Sequence, residues 1–300
     1  MTSIILIIPY FGKWPLWFGA YLKSCAANPS IHWLCPTDCD IPVDYPSNIR
    51  FLPVTLAHLN QQVNKIVGVE VPLSPRKFCD LKPAYGDIFK AQLVDFDFWG
   101  ICDMDIIWGD IRKFITGDLL NQYDIISSRK HAISGHFTLF KNTPSINTLY
   151  KQLPNIKALY SVPEFKWTDE HVLTKYLKSQ AQKEVYWPNI LCNQERGRDS
   201  HQEYYLDRWQ WQDGKVVNTK TNTEVMYLHF INWKRTMRYS EVQYTDPQTT
   251  FYISYSGMHY QAHSLWQQLI NKVKNVFNGF YVILRRKQRI KKLKKKLGYE

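Results

Sequence analysis

A chain of 300 residues with 45% hydrophobic, 15% aromatic and 21% charged side chains can bury a sizeable core, which excludes collagen, coiled coil and wholesale disorder. The formal charge of +12 is local: Arg285 to Lys296 reads RRKQRIKKLKKK, with nine Lys or Arg and no acid, and taking those nine away leaves a body at +3. Charge of one sign gathered at one end addresses an anionic surface, either a membrane or a nucleic acid.

Ile4 to Ile8 is an aliphatic run closed by Pro-Tyr-Phe-Gly, which predicts a strand buried on both faces and hence an α/β sheet. It is too short for a signal-peptide core or a membrane span, and no window holds the roughly eighteen apolar residues in a row that a spanning helix needs. Any membrane contact is therefore expected to be peripheral. Trp14, Trp17, Phe18, Tyr21, Leu22 and Cys25 recur at helical spacing up to Asn28-Pro29, and short strands are predicted at His32 to Cys35 and Ile49 to Val54. This β-α-β-β order is that of a nucleotide-binding half sheet. Val67 to Asp80 has no sustained period and reads as a loop; a helix is predicted from Pro83 through Leu93. Phe96 to Cys102 returns to a buried strand. Later elements are strands at His136 to Phe140 and Val225 to His229, with a helix from Asp169 to Lys178 between them. The six cysteines are scattered without a C-x-x-C pair, the pattern of a reducing compartment.

The strand that closes at Cys102 runs into Asp103-Met104-Asp105. On a regular strand the two carboxylates share a face, where they can share a hard divalent cation at the sheet's carboxyl edge. A D-x-D pair is common in surface turns, and Asp95 and Asp97 form a second one. Asp103 and Asp105 differ in being flanked by Trp99, Ile101, Cys102, Ile106, Ile107 and Trp108. Carboxylates inside so apolar a segment need compensation, which a metal provides.

These features, taken in order, resemble the GT-A-fold, nucleotide-sugar-dependent glycosyltransferases, in particular bacterial surface-polysaccharide enzymes and more distantly the glycogenin-like group. The ordered matches are IILIIPYF, CDLKPAYGDIF, CDMDIIWGDI, ISGHFTLF, WTDEHVLTKYL and YLHFINWKR, from Ile4 to Arg235. The resemblance implies a GT-A-like mixed sheet flanked by helices over residues 1–262. It implies donor contacts from Pro9, Tyr10, Asp80, Lys82, Asp103, Ser134, Gly135, His136 and Lys234. Asp103, Asp105 and His229 become the ligands of Mn²⁺ or Mg²⁺, and the imidazole favours Mn²⁺. Asp169 is expected to hold the sugar or act in catalysis, with Glu170 as the second choice. The implied partners are a nucleotide-diphosphate sugar, a UDP-hexose first, and a glycan or lipid-linked acceptor. Two departures stand out: the late motif lacks the glycine and Lys-Pro-Trp ending of the glycogenin-like group, and Asp169-Glu170-His171 replaces its usual Asp-Gln-Asp.

Plainer readings exist for the same residues. His229 fits a satisfied core histidine on a strand, Lys82 a solvated lysine, Asp169 and Glu170 a helix cap, and Tyr204, Tyr205, Trp209 and Trp211 either an acceptor platform or core.

Residues 263–300 form the second unit. Leu265, Trp266, Leu269, Ile270, Val273, Val276, Phe277, Phe280, Tyr281 and Leu284 advance by threes and fours into the basic run. A basic amphipathic helix of this kind lies in a lipid headgroup layer, which places the enzyme on the cytoplasmic face of the plasma membrane through an anionic surface. The alternative is a core-packed helix with a solvated tail. Nucleic-acid binding by the tail competes as a function, but the nearly neutral body argues against it. A phosphohydrolase is disfavoured by the late position of the D-x-D, and a catalytically silent sugar-binding homologue is separated only by an activity measurement.

Overall fold

The computed structural model describes residues 1–180, 185–188, 191–192, 208–231, 234, 237–271, 273–274, 277 and 288. Its centre is a seven-stranded mixed sheet in the order β3-β2-β1-β4-β7-β6-β8. These strands are β1 (Ile4–Ile7), β2 (Ile31–Thr37), β3 (Ile49–Pro53), β4 (Phe98–Cys102), β6 (Ile125–Ser127), β7 (Phe137–Lys141) and β8 (Val185–Tyr186), with β5 (Ile106–Trp108) outside the sheet. β1 is parallel to β2 and β4, β2 to β3 and β6 to β8, while β7 runs antiparallel to both neighbours.

Burial on both faces follows from the sequence of β1. Ile4, Leu6 and Ile8 pack into one core with helix α1 (Phe18–Ala26), whereas Ile5 and Ile7 pack into the other with helix α2 (Leu56–Val67). Alternate side chains of a strand leave on opposite faces, so a continuous aliphatic run must be sandwiched. The α/β class with helices on both faces is thus as the sequence predicts.

Several boundaries differ. Helix α2 falls where no helix was expected, although its ends are marked: Thr55 caps it by accepting from the His58 amide, and Gly68 closes it in the left-handed conformation at φ 72°. The helix expected from Pro83 is broken into a 3₁₀ segment Lys77–Ala84, one α-turn Tyr85–Ile88 and a second 3₁₀ turn Lys90–Gln92. Gly86 in the α-turn sits at close quarters, since a Cβ there would lie 2.7 Å from both the Trp99 ring and Asn147.

The strand expected over Val225 to His229 divides at Met226 between two sheets. β11 (Thr223–Val225) closes a six-stranded, largely antiparallel sheet with β9 (Trp209–Gln212), β10 (Lys215–Asn218), β13 (Tyr239–Ser240), β14 (Thr250–Ile253) and β15 (Gly257–His259). β12 (Tyr227–His229) pairs instead with β5. Trp209 and Trp211 lie in the core of that second sheet, each 4% exposed, and Trp211 stacks on Phe251. An acceptor platform built on these two rings is therefore ruled out; Tyr204 and Tyr205 lie outside the described residues.

Candidate functional site

The chain runs from β1 to β2 to β3 on one side and then returns to place β4 on the other side of β1. The strand order reverses at the carboxyl ends of β1 and β4, the place where open α/β sheets leave a crevice for ligands. Pro9 and Tyr10 leave β1 there, both half-buried, and Asp103 leaves β4.

The ladder of β4 ends at Cys102, so Asp103 and Asp105 stand in the turn between β4 and β5 instead of on one strand face. Strand β12 completes the cluster. It lies antiparallel to β5 with His229 opposite Ile106, and the Phe230 amide donates to the Asp105 carbonyl at 3.1 Å. His229 Nε2 comes to 3.6 Å from Asp105 Oδ1 and 4.0 Å from Asp103 Oδ2. One ligand atom from each of the three residues lies within 4.8 Å of the others. Two carboxylates and an imidazole are a donor set suited to Mn²⁺ or Mg²⁺, with nitrogen tilting toward Mn²⁺.

Two lysines already balance the carboxylates. Lys82 Nζ donates to Asp103 Oδ1 at 2.6 Å and to the Gly135 carbonyl at 2.6 Å; Lys234 Nζ donates to Asp105 Oδ2 at 2.8 Å. Compensation of the two carboxylates, Asp105 buried and Asp103 partly so, which the sequence assigns to a metal alone, is thus shared with ammonium groups. Burial works against the Asp105 carboxylate, but His229 and Lys234 outweigh it and hold its pKa well below the carboxylate range. Lys82 is likewise opposed by burial and kept charged by Asp103. The surface-lysine reading of Lys82 is set aside, since its side chain is 6% exposed.

On the other wall, His229 stacks at 4.2 Å on His136, whose Nδ1 is 2.7 Å from the Tyr227 hydroxyl. Burial, and then the nearby His229, push the pKa of His136 well below its usual value, so this ring is neutral. Ser134 is fully buried, and its amide bonds Thr138 Oγ1 at 3.3 Å. The Gly135 amide donates to Glu170 Oε1 at 3.1 Å, and Arg129 Nη1 lies 3.5 Å from the same oxygen.

Asp169 arrives through an unusual turn. Trp167 is left-handed at φ 54°, and Thr168–Val172 form a π-turn ahead of the helix Leu173–Ser179, instead of the regular helix start expected. Asp169 is 3% exposed and its Oδ1 has no hydrogen-bond partner among the described residues. Burial favours its neutral form and raises its pKa to about 8; Lys82 pulls the other way, and Glu170, Asp103 and Asp80 add to the rise. Gly135 lies close opposite, where a Cβ would come within 2.6 Å of Asp169 Oδ2 and the carboxyl would have to shift.

Asp80 departs from the expectation of a donor contact. It is fully buried, bound to an equally buried Lys77 at 2.9 Å, and accepts from the Lys166 amide at 2.9 Å and the Thr168 amide at 3.1 Å. The Thr168 hydroxyl donates to its carbonyl. With its oxygens taken by Lys77 and by the amides of Lys166 and Thr168, Asp80 pins the turn that carries Asp169. Asp95 and Asp97, the rival D-x-D, lie at the opposite edge, where an exposed Asp97 accepts from the amide and hydroxyl of Ser3. Beside Tyr10, which forms a parallel bridge with Thr37, an open, shallow groove lies at the ends of β2 and β3, lined by Thr37, Asp38, Cys39, Val54, Thr55 and His58 among others. The Tyr10 hydroxyl is raised by burial first, then by Cys39 on the groove side, and is touched electrostatically by Lys234 and Asp105 on the other.

A family model described as "Family of unknown function (DUF6625)" matches residues 6–262. No curated protein sequence matches the chain. Among solved structures, mouse xyloside xylosyltransferase 1 in its apo form aligns at 8% identity and a TM-score of 0.44, over 77% of this chain and 98% of that one. The galactosyltransferase LgtC in complex with donor and acceptor sugar analogues aligns at 15% identity and 0.39, over 75% and 86%. The glycosyltransferase GlyE of Streptococcus pneumoniae TIGR4 aligns at 10% identity and 0.35, over 62% of this chain and 45% of its own. Scores of this size leave the chemistry of the site to its own residues.

Proposed function

The chain belongs to the DUF6625 family of unknown function, and we propose that it is a metal-dependent glycosyltransferase that moves a hexose from a nucleotide-diphosphate sugar, a UDP-hexose first, to a glycan or lipid-linked acceptor. The observation that carries this reading is the meeting of Asp103, Asp105 and His229 with Lys82 and Lys234 at the strand-order reversal. Cationic groups and cation ligands gathered at one end of the sheet suit a substrate rich in phosphate charge.

Transfer breaks the bond between the anomeric carbon and the diphosphate oxygen and forms one from the anomeric carbon to an acceptor hydroxyl oxygen. The hydroxyl proton leaves to a base, and the electron pair of the broken bond stays on the diphosphate. Asp103, Asp105 and His229 would hold a divalent ion, which would supply Lewis-acid stabilisation of that leaving charge. Lys82 and Lys234, resting on carboxylates whose charge the ion would balance, supply donors to the phosphate oxygens. Tyr10, at the carboxyl end of β1, is the candidate ring for the nucleoside end. Asp169, neutral because it is buried, offers a hydrogen-bond donor to a sugar hydroxyl. Glu170, aimed by the Gly135 amide and Arg129, is in position to hold the sugar or accept the acceptor's proton.

The test is a thermal-shift panel of nucleotide sugars with and without Mn²⁺, followed by nucleotide release. A ligand that binds only the folded chain raises its midpoint by mass action. A Mn²⁺-dependent shift is expected, lost in Asp103→Ala and Asp105→Ala, with nucleotide release down about a hundredfold or more. Undiminished turnover in both folded variants, or in chelator, refutes the reading.

A further inference from the structure

After Ser264 caps its first turn by accepting from the Gln267 amide, the chain is helical through the described residues up to Phe277. This helix sits inside out. Leu265 is 85% exposed, Trp266 69%, Leu269 50%, Ile270 36%, Val273 51% and Phe277 71%. At 100° per residue these six occupy one arc of about 140°. The polar Gln268 and Asn271 lie on the opposite arc, away from solvent: Gln268 Nε2 donates to the His263 carbonyl at 2.8 Å, and Asn271, 6% exposed, places Nδ2 3.1 Å from His263 Nδ1. A helix that belongs to a protein core buries the reverse face, so the core-packed alternative does not describe this segment.

We propose that this helix face is a docking surface for an anionic lipid bilayer. The apolar arc and the charge that follows it in sequence fit one occupant. Nine Lys or Arg without an acid stand between Arg285 and Lys296, beside a body of +3. A second copy of the chain would bring the same positive run against this one. A nucleic acid would meet the charge and leave the apolar arc in water. A lipid surface takes both, with phosphate headgroups for the lysines and the acyl boundary for the side chains, and Trp266 suits the interface between them. No helix among the described residues is long and apolar enough to cross a membrane.

The experiment is co-sedimentation of the full chain with phosphatidylglycerol-containing and with pure phosphatidylcholine vesicles, at low and high salt. The comparison protein is the double variant Trp266→Gln, Phe277→Gln. Both side chains are exposed, so the variant should keep the wild-type melting midpoint. Binding to the anionic vesicles is expected, about tenfold or more weaker on neutral ones, reduced by salt, and about tenfold weaker in the double variant. The proposal is overturned by absent or lipid-independent binding, by equal binding of the two proteins, by a vesicle-free dimer that the double variant dissolves, or by duplex DNA that binds both proteins more tightly than vesicles do. No sugar nucleotide enters the assay, so its failure leaves the transferase reading standing, and a failed transferase test leaves this one standing.

Discussion

Replacing Asp169 with asparagine should make the ligand-free protein more stable, and increasingly so as pH rises. The folded carboxyl keeps its proton up to about pH 8, because it is buried and its Oδ1 has no hydrogen-bond partner among the described residues. In the unfolded chain the same group loses its proton near 3.8. Between those values the folded state binds the extra proton, so Asp169 imposes a cost in stability that grows with pH, at up to about 1.4 kcal/mol per pH unit, and levels off above about pH 8. Relaxation and water entry reduce such figures, and a difference of roughly 2–4 kcal/mol at neutral pH is the working expectation. The amide of the Asp169→Asn variant has no charge to bury. Urea unfolding of both proteins in chelator, at steps from about pH 5 to about pH 8, isolates the effect as the difference between two curves, since all other titrations are shared. A pH-independent difference, or a variant less stable than wild type at neutral pH, would mean that Asp169 is ionised and held by partners, and the neutral-donor role would go with it. A gain would mark the site as one where function is kept at the expense of stability.

Asp80→Ala leaves Lys77 buried without its carboxylate and frees the amides of Lys166 and Thr168, which should cost about 3–5 kcal/mol in urea unfolding; a loss under about 1 kcal/mol would remove its positioning role. Gly135→Ala drives a methyl to within 2.6 Å of Asp169 Oδ2, so a loss of about 1–3 kcal/mol in thermal unfolding and weaker nucleotide-sugar binding by calorimetry are expected together. Asp97→Ala removes only the bonds from Ser3 and should change stability by about 1 kcal/mol or less. Calorimetry should find its Mn²⁺-dependent nucleotide binding unchanged, which separates the two D-x-D pairs.

Much of the frame was legible in the chain. The aliphatic run of β1 required helices on both faces, and the apolar flanks of Asp103 and Asp105 singled that pair out from Asp95 and Asp97. Helix α2 was legible and missed, since Thr55 and Gly68 mark its ends. The second sheet was hidden because its strands are short and its aromatics read equally as core or platform. The surroundings of Asp80 are not legible for a different reason: a carboxylate beside a lysine looks the same in sequence whether it faces a ligand or pins a turn more than eighty residues away.

By itself the sequence determined which segments must be buried, where the acidic pair lies along the chain and that the positive charge is gathered at one end. Those properties follow from residue type and near-neighbour spacing. Only the tertiary structure decided that Asp80 is held by Lys77 and by the turn at Thr168, that Lys82 and Lys234 hold the two carboxylates, and that the helix after Ser264 turns its apolar side outward. Each of these depends on contacts between residues far apart in sequence, and local periodicity carries no information about which distant partner a side chain will meet.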